Sequence, residues 1–178
     1  MPPPEIAFRP SSAEDLVAVR ALLASAALPS EDVRDGEQEY IVAVHDGDLV
    51  GCVGLETHGD AGLLRSLVVL PELRCSGVGS ALHDRIVAHA RARGVRVAYL
   101  LTTTAERFFA ARGFEHIDRA TVPGALLATP EFRSRCPATA VCMRRSLDGL
   151  HEPGRCGDPC SQPLTFDPAP PPRTRWLE

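Results

Sequence analysis

A chain of 178 residues, 44% hydrophobic and 24% charged, is long enough to bury one hydrophobic core and short for two. A net charge of −4 leaves no basic stripe for nucleic acid and no polybasic patch for a membrane surface. No apolar run approaches spanning length, and Met1-Pro2-Pro3-Pro4 opens without a basic and apolar leader, so the cytoplasm is the expected location.

Ile6–Arg9 reads as a short strand. Ser11 and Glu14 have capping-box spacing, and Leu16, Val19, Leu23 and Ala27 continue as a helical stripe that Pro29 ends. Residues Pro29–Glu39 are polar and acidic, a loop or an irregular turn. Tyr40–Val44 and Leu49–Leu55 are strands joined at Asp46-Gly47, a pair suited to the positive φ angles of a tight hairpin. Gly62–Val69 is the next strand, stopped by Pro71. A helix over Ser80–Arg93 follows, with Val78, Leu82, Ile86 and Ala90 on one face and Gly94 as its cap. Val95–Thr102 is a strand with Val97, Tyr99 and Leu101 on one side, and Ala105–Arg112 is a short helix ended by Gly113. Phe114–Val122 and Ala138–Arg145 complete the strands, with a turn at Thr129–Phe132 between them. The order predicts one mixed α/β domain over residues 1–147. Residues 148–178, dense in proline, cannot offset their ordering entropy by burial and are expected to be a disordered tail.

Six cysteines are present. Cys52, Cys75, Cys136 and Cys142 are expected to be free buried thiols in a cytosolic chain. Cys156 and Cys160 stand four apart in the tail, where two soft thiolates would suit a soft ion such as trivalent arsenic. Only His151 lies near them, and a resident site wants more ligands. No metal centre is expected.

The chemistry concentrates in Leu67-Val68-Val69-Leu70-Pro71-Glu72-Leu73-Arg74-Cys75-Ser76-Gly77-Val78-Gly79-Ser80. A strand feeds a loop, and two glycines open a helix whose first N–H groups lack partners and whose dipole is positive there. Glycine admits an anion close to the backbone, so a diphosphate suits the place, and Arg74 can add charge-assisted bonds. Neither a Walker loop nor a Gly-x-Gly-x-x-Gly fingerprint is present. Alone, the two glycines read equally as a turn without a ligand.

Arg74-x-x-Gly77-x-Gly79 after a valine-rich strand resembles motif A of the GNAT acetyltransferase superfamily. Ala105-Glu106-Arg107-Phe108-Phe109-Ala110-Ala111-Arg112-Gly113-Phe114 resembles its second segment, with one helix and one strand between the two. Within the superfamily, Leu64–Val69, the Leu100-Leu101-Thr102-Thr103-Thr104-Ala105-Glu106 run, Glu131-Phe132 and Cys136-Pro137 resemble the arsenic-resistance N-acetyltransferases. The resemblance implies a mixed sheet with splayed central strands flanked by helices, acetyl-CoA as co-substrate and a small primary amine as acceptor. It extends to an arsenic-containing or related amino acid in detoxification. Leu67, Val68 and Val69 would bond the pantetheine arm, with Val69 N–H at the developing oxyanion. Arg74, Cys75, Ser76, Gly77, Val78, Gly79 and Ser80 would hold the pyrophosphate, and Phe109 would border the cofactor. Many relatives are dimers, so a homodimer is compatible.

The transfer needs a base for the ammonium proton and a route for protonating the thiolate. The family's usual tyrosine acid is replaced by Phe109, which cannot donate a proton. Thr102, with Thr103 and Thr104, is the nearest substitute, and a thiolate can also leave unaided. Glu56 is the carboxylate expected to act as base, against an ordinary reading as a strand-end charge; Glu106 is a second candidate. Arg65 is expected either to bind a substrate carboxylate or to pair with a neighbouring acid. His45, His58 and His116 are expected to face solvent. A cofactor-binding module without catalysis and a protein-acetylating role are the rival readings.

Overall fold

The computed structural model describes residues 5–34 and 36–148. Among them are β1 (Ala7–Pro10), α1 (Asp15–Ser25), β2 (Glu39–His45), β3 (Asp48–His58), β4 (Ala61–Val69), α2 (Val78–Ala92), β5 (Val97–Thr102), α3 (Glu106–Ala110), β6 (Glu115–His116), α4 (Gly124–Leu127) and β7 (Val141–Ser146). The strands form one sheet in the order β1-β2-β3-β4-β5-β7-β6. Only the β4–β5 pair is parallel, and α2 makes the crossover between them. The expected mixed α/β fold is the one present. Of the tail expected over residues 148–178 only Asp148 is described; the rest, with His151, Cys156 and Cys160, lies outside the described residues.

The sheet is coated on both faces. Leu16, Val19, Leu22 and Leu23 of α1 are buried on one face with Tyr40, Val42, Cys52 and Val68. Burial of each such side chain stabilises by roughly 1.5–3 kcal/mol. Val78, Leu82, Ile86, Val87 and Ala90 of α2 cover the other face, against Ile41, Val53, Leu64 and Leu100. Tyr99 and Leu63 pack instead with Leu126 of α4, so β5 divides its residues between two cores as the alternation predicts.

Several local details depart from the sequence reading. Ser11 and Glu14 do not form the capping box; Ser12 N–H and its hydroxyl donate to Asp15 at 2.6 and 2.9 Å, one residue further on. The strand expected over Phe114–Val122 shrinks to Glu115–His116, and a π-helical turn, Glu131–Arg135, replaces the turn at Thr129–Phe132. The β2–β3 hairpin has the expected form, with positive φ at Asp46 (52°) and Gly47 (89°). Cys52 and Cys142 are free and buried and Cys136 is free and half-buried, but Cys75 corrects the expectation: it is exposed and disulfide-bonded.

Candidate active site

A bulge in β4 shapes the site. Cys52 pairs with Val68 and Gly54 with Arg65, so Val53 faces two residues, Ser66 and Leu67. Ser66 takes φ 58°, unusual for a residue with a side chain, and marks local strain at the bend. The extra residue reverses the alternation: Leu64, Leu67 and Val69 pack on the α2 side, while Arg65 and Val68 face the other. β4 and β5 are paired only through Ala61–Leu63 and Val97–Tyr99. From Leu64 and Leu100 onward the strands separate, leaving a cleft of about 370 Å³ between them. Its walls include Ser66 and Leu67 of β4, Leu101–Ala105 at the end of β5, and Phe109 of α3.

The start of α2 lies beyond the end of β4. Gly77 occupies the left-handed region at φ 86°, and no side chain caps the helix. Gly79 faces the Phe108 ring, whose nearest atom would stand 3.7 Å from an added Cβ. Cys75 also has positive φ, at 64°, so the loop from Arg74 to Ser80 is tightly curled. Arg74 is exposed, with Nε donating to Val69 O at 3.4 Å. Arg112 stacks on Phe108 at 3.5 Å and reaches the Ser80 hydroxyl, placing a second guanidinium at this loop. The loop therefore joins uncapped helix N–H groups, positive dipole and arginine charge, an arrangement suited to a phosphate.

On the α1 side of the sheet, Arg65 is the hub of a buried ion cluster. Its side chain is 2% exposed; Nη1 lies 2.5 Å from Glu56 Oε1, and Nη2 lies 2.7 Å from Asp32 Oδ2 and 3.3 Å from Glu131 Oε2. Three carboxylates around one guanidinium leave two formal negative charges in excess. Burial pulls the Arg65 pKa down, but the carboxylates more than reverse this and hold it above the ordinary value. Burial likewise lifts the Asp32 carboxyl, and Arg65 more than offsets that, leaving it below the ordinary range. Gln38 donates to Glu56 at 3.4 Å, its own amide oxygen being fixed by Arg34 N–H at 3.0 Å.

The predicted residues are thus divided. Leu67, Phe109, Thr102 and Arg65 line the cleft, whereas Val69 and Arg74–Ser80 do not, the loop lying beyond the end of β4 at the start of α2. Val68 points into the α1 core, leaving only its backbone for a ligand. Thr102 Oγ1 accepts the Ala105 N–H at 2.9 Å, which fixes the turn into α3. Glu56 is not an exposed strand-end charge but buried, and it borders a separate acidic pocket of about 380 Å³ with Asp32, Glu37 and His58. His58 is half-buried, with Nε2 3.6 Å from Glu56 Oε2, rather than open to solvent. Glu106 is exposed and pairs with His116 at 3.0 Å.

Sequence reasoning gave no role to three residues, although Glu131 stands in the resemblance. Asp32 and Glu131 come from segments without periodicity. His83 lies beside the predicted apolar stripe of α2, buried among Phe108, Phe109 and Phe114, with Nδ1 3.0 Å from Asp84 Oδ1. It stands in the cleft wall, where burial pulls its pKa down and outweighs the opposing effect of Asp84. Among the described residues no group of three or more His, Cys, Asp or Glu could hold a metal ion, and no helix is long and apolar enough to cross a membrane.

The splayed strands and the glycine-opened helix between them define a class. Residues 36–116 match the model of the acetyltransferase (GNAT) domain, and the chain has the GNAT fold. Amino-acid acetyltransferase of Pseudomonas fluorescens (strain Pf0-1) is 35% identical over 99 residues, which are 54% of this chain and 23% of that protein. The N-acetylglutamate synthase of Neisseria gonorrhoeae, solved with coenzyme A and N-acetyl-glutamate, superposes with a TM-score of 0.68. It is 25% identical, over 80% of this chain and 35% of that one. Rv2747 of Mycobacterium tuberculosis, solved with CoA and NLQ, shares the fold at a TM-score of 0.67 and 24% identity, over 79% of this chain and 98% of that one. The chain spans about a quarter of the length of the curated relatives it matches.

Proposed function

We propose that this protein transfers acetyl from acetyl-CoA to the primary amine of a small amino acid, by direct attack in a ternary complex. The observation that carries the reading is the gap between β4 and β5, open from Leu64 and Leu100, with the Arg74–Ser80 loop following β4 in the chain. A pantetheine arm would take the unpaired edge as an added strand, with its pyrophosphate at the start of α2. The backbone at Leu67–Val69 then lies along the arm, and the Val69 N–H is the donor assigned to the oxyanion. The excess negative charge around Arg65 favours an acceptor that arrives as an ammonium ion. Phe109 leaves no phenol in the cleft wall, so the thiolate takes its proton from the attacking nitrogen or from water.

The names of the relatives support an amino-acid acceptor, and the Leu100–Glu106 run favours an arsinic or phosphinic amino acid as the particular one. Free coenzyme A release would be followed with glutamate, methionine, an arsinic and a phosphinic amino acid, and a lysine peptide. Turnover of at least one amino acid is expected. Arg74→Ala should raise the KM for acetyl-CoA about tenfold, the scale of one charge-assisted hydrogen bond, with little change in kcat. An unchanged KM would remove the loop from the cofactor site. Coenzyme A binding without turnover of any acceptor would favour a sensing module instead.

A further inference from the structure

Of the three carboxylates on Arg65, Glu131 alone borders the cleft; Asp32 and Glu56 border the acidic pocket behind it. Glu56 is the most committed, with Nη1 at 2.5 Å and the Gln38 amide on the same oxygen. Glu131 is held differently. Its side chain is 9% exposed, and Oε2 lies 3.3 Å from an Nη2 that Asp32 approaches more closely, at 2.7 Å. That oxygen makes no hydrogen bond. Oε1 accepts the Cys136 thiol at 3.0 Å. Burial, with the Glu131 charge, pushes that thiol up to about 12, so Cys136 stays a donor and is no rival base. The π-helical turn after Pro130 carries Glu131 into the wall shared by the β4 bulge and the Thr102–Ala105 corner.

We propose that Glu131 is the base that takes the proton from the attacking ammonium, resting on the acetyl-transfer reading above. The carboxylate removes one proton from the ammonium, and the freed lone pair attacks the thioester carbonyl carbon. A C–N bond forms, the C–S bond breaks, and a second proton passes from nitrogen to the departing thiolate. Glu131 then releases its proton to solvent. Glu56 and Asp32 are positioning residues, which hold Arg65 beside Glu131 in the cleft wall. The charged and titratable groups around Glu131 are Arg65 of β4, Glu56 of β3 on the same guanidinium, Asp32 of the loop before β2, His83 of α2 in the same cleft wall, and Arg135 and Cys136 of its own segment.

The test is Glu131→Gln, assayed from pH 7 to 10 with the best acceptor of the panel, alongside thermal unfolding and coenzyme A affinity. At pH 7 kcat should fall by about 100-fold or more, the usual range for a general base. The deficit should shrink as pH approaches the acceptor's own pKa, where solution supplies neutral amine. Coenzyme A affinity should hold. A deficit constant across pH would assign Glu131 a structural role and overturn the proposal. Glu131→Asp keeps a charge near Arg65 while withdrawing it from the cleft; it should lose kcat without losing Tm, and full activity in it would also overturn the assignment. No turnover by the unaltered protein with any acceptor would sink the acetyl-transfer reading, and Glu131 with it.

Discussion

Asp15 opens α1 and gathers Arg9 at 2.6 Å and both the amide and hydroxyl of Ser12. The Arg9 hydrogen bonds, with those from Ser12, hold its carboxyl well below the ordinary range. A depressed folded pKa contributes stability that is full above the unfolded value, near pH 4, and is lost as pH falls through the folded one. Asp15→Asn should therefore cost about 1 kcal/mol at pH 7, the scale of a helix cap, and progressively less on acidification below about pH 4. Tm measured against pH for both proteins checks this; a gap independent of pH would mean the carboxylate charge is irrelevant. The same residue scale shows what the sequence made readable. Arg65 and Glu56 stand on strands, so their proximity could be guessed from pattern. Asp32 and Glu131 could not, because both lie in segments without periodicity and meet Arg65 only in the folded chain.

At the scale of elements, hydrophobic period and glycine placement located the main strands and α2 to within a few residues. The failures fall where neither signal operates. Residues 117–140 contain short turns whose apolar members, Val122, Leu126 and Phe132, pack beneath β5 without any repeating spacing. One contact inside the sheet has a sharper consequence. Gly54 pairs with Tyr40, and a Cβ added there would stand 2.8 Å from the tyrosine ring. Tyr40 is 1% exposed and has nowhere to move. Gly54→Ala is expected to lower stability by about 1–3 kcal/mol through overpacking, despite its better strand propensity. Denaturant unfolding with an unchanged m-value would register it. A neutral result would show that β2 and β3 can slide apart at this pair.

For the whole molecule, the sheet is two lobes joined by a narrow seam. β1–β4 form one, β5, β7 and β6 the other, and only the Ala61–Leu63 pairing with Val97–Tyr99 stitches them together along the strands. Packing compensates, since α2 lies over β2, β3 and β4 while its core also includes Leu100 and Met143 of the second lobe. A cofactor lying along both open edges would supply the missing bridge. Coenzyme A at a hundred times its Kd should then stabilise the fold by about 2.7 kcal/mol, seen as a raised Tm. The location of the effect is more telling than its size. Amide exchange should slow over residues 64–69 and 100–104, which face the gap, and change little in the β1–β2 pair. A raised Tm without protection at those edges would place the cofactor elsewhere and overturn the cleft as its site. Protection there, lost in Arg74→Ala at limiting coenzyme A, would tie the phosphate loop and the open seam into one binding event.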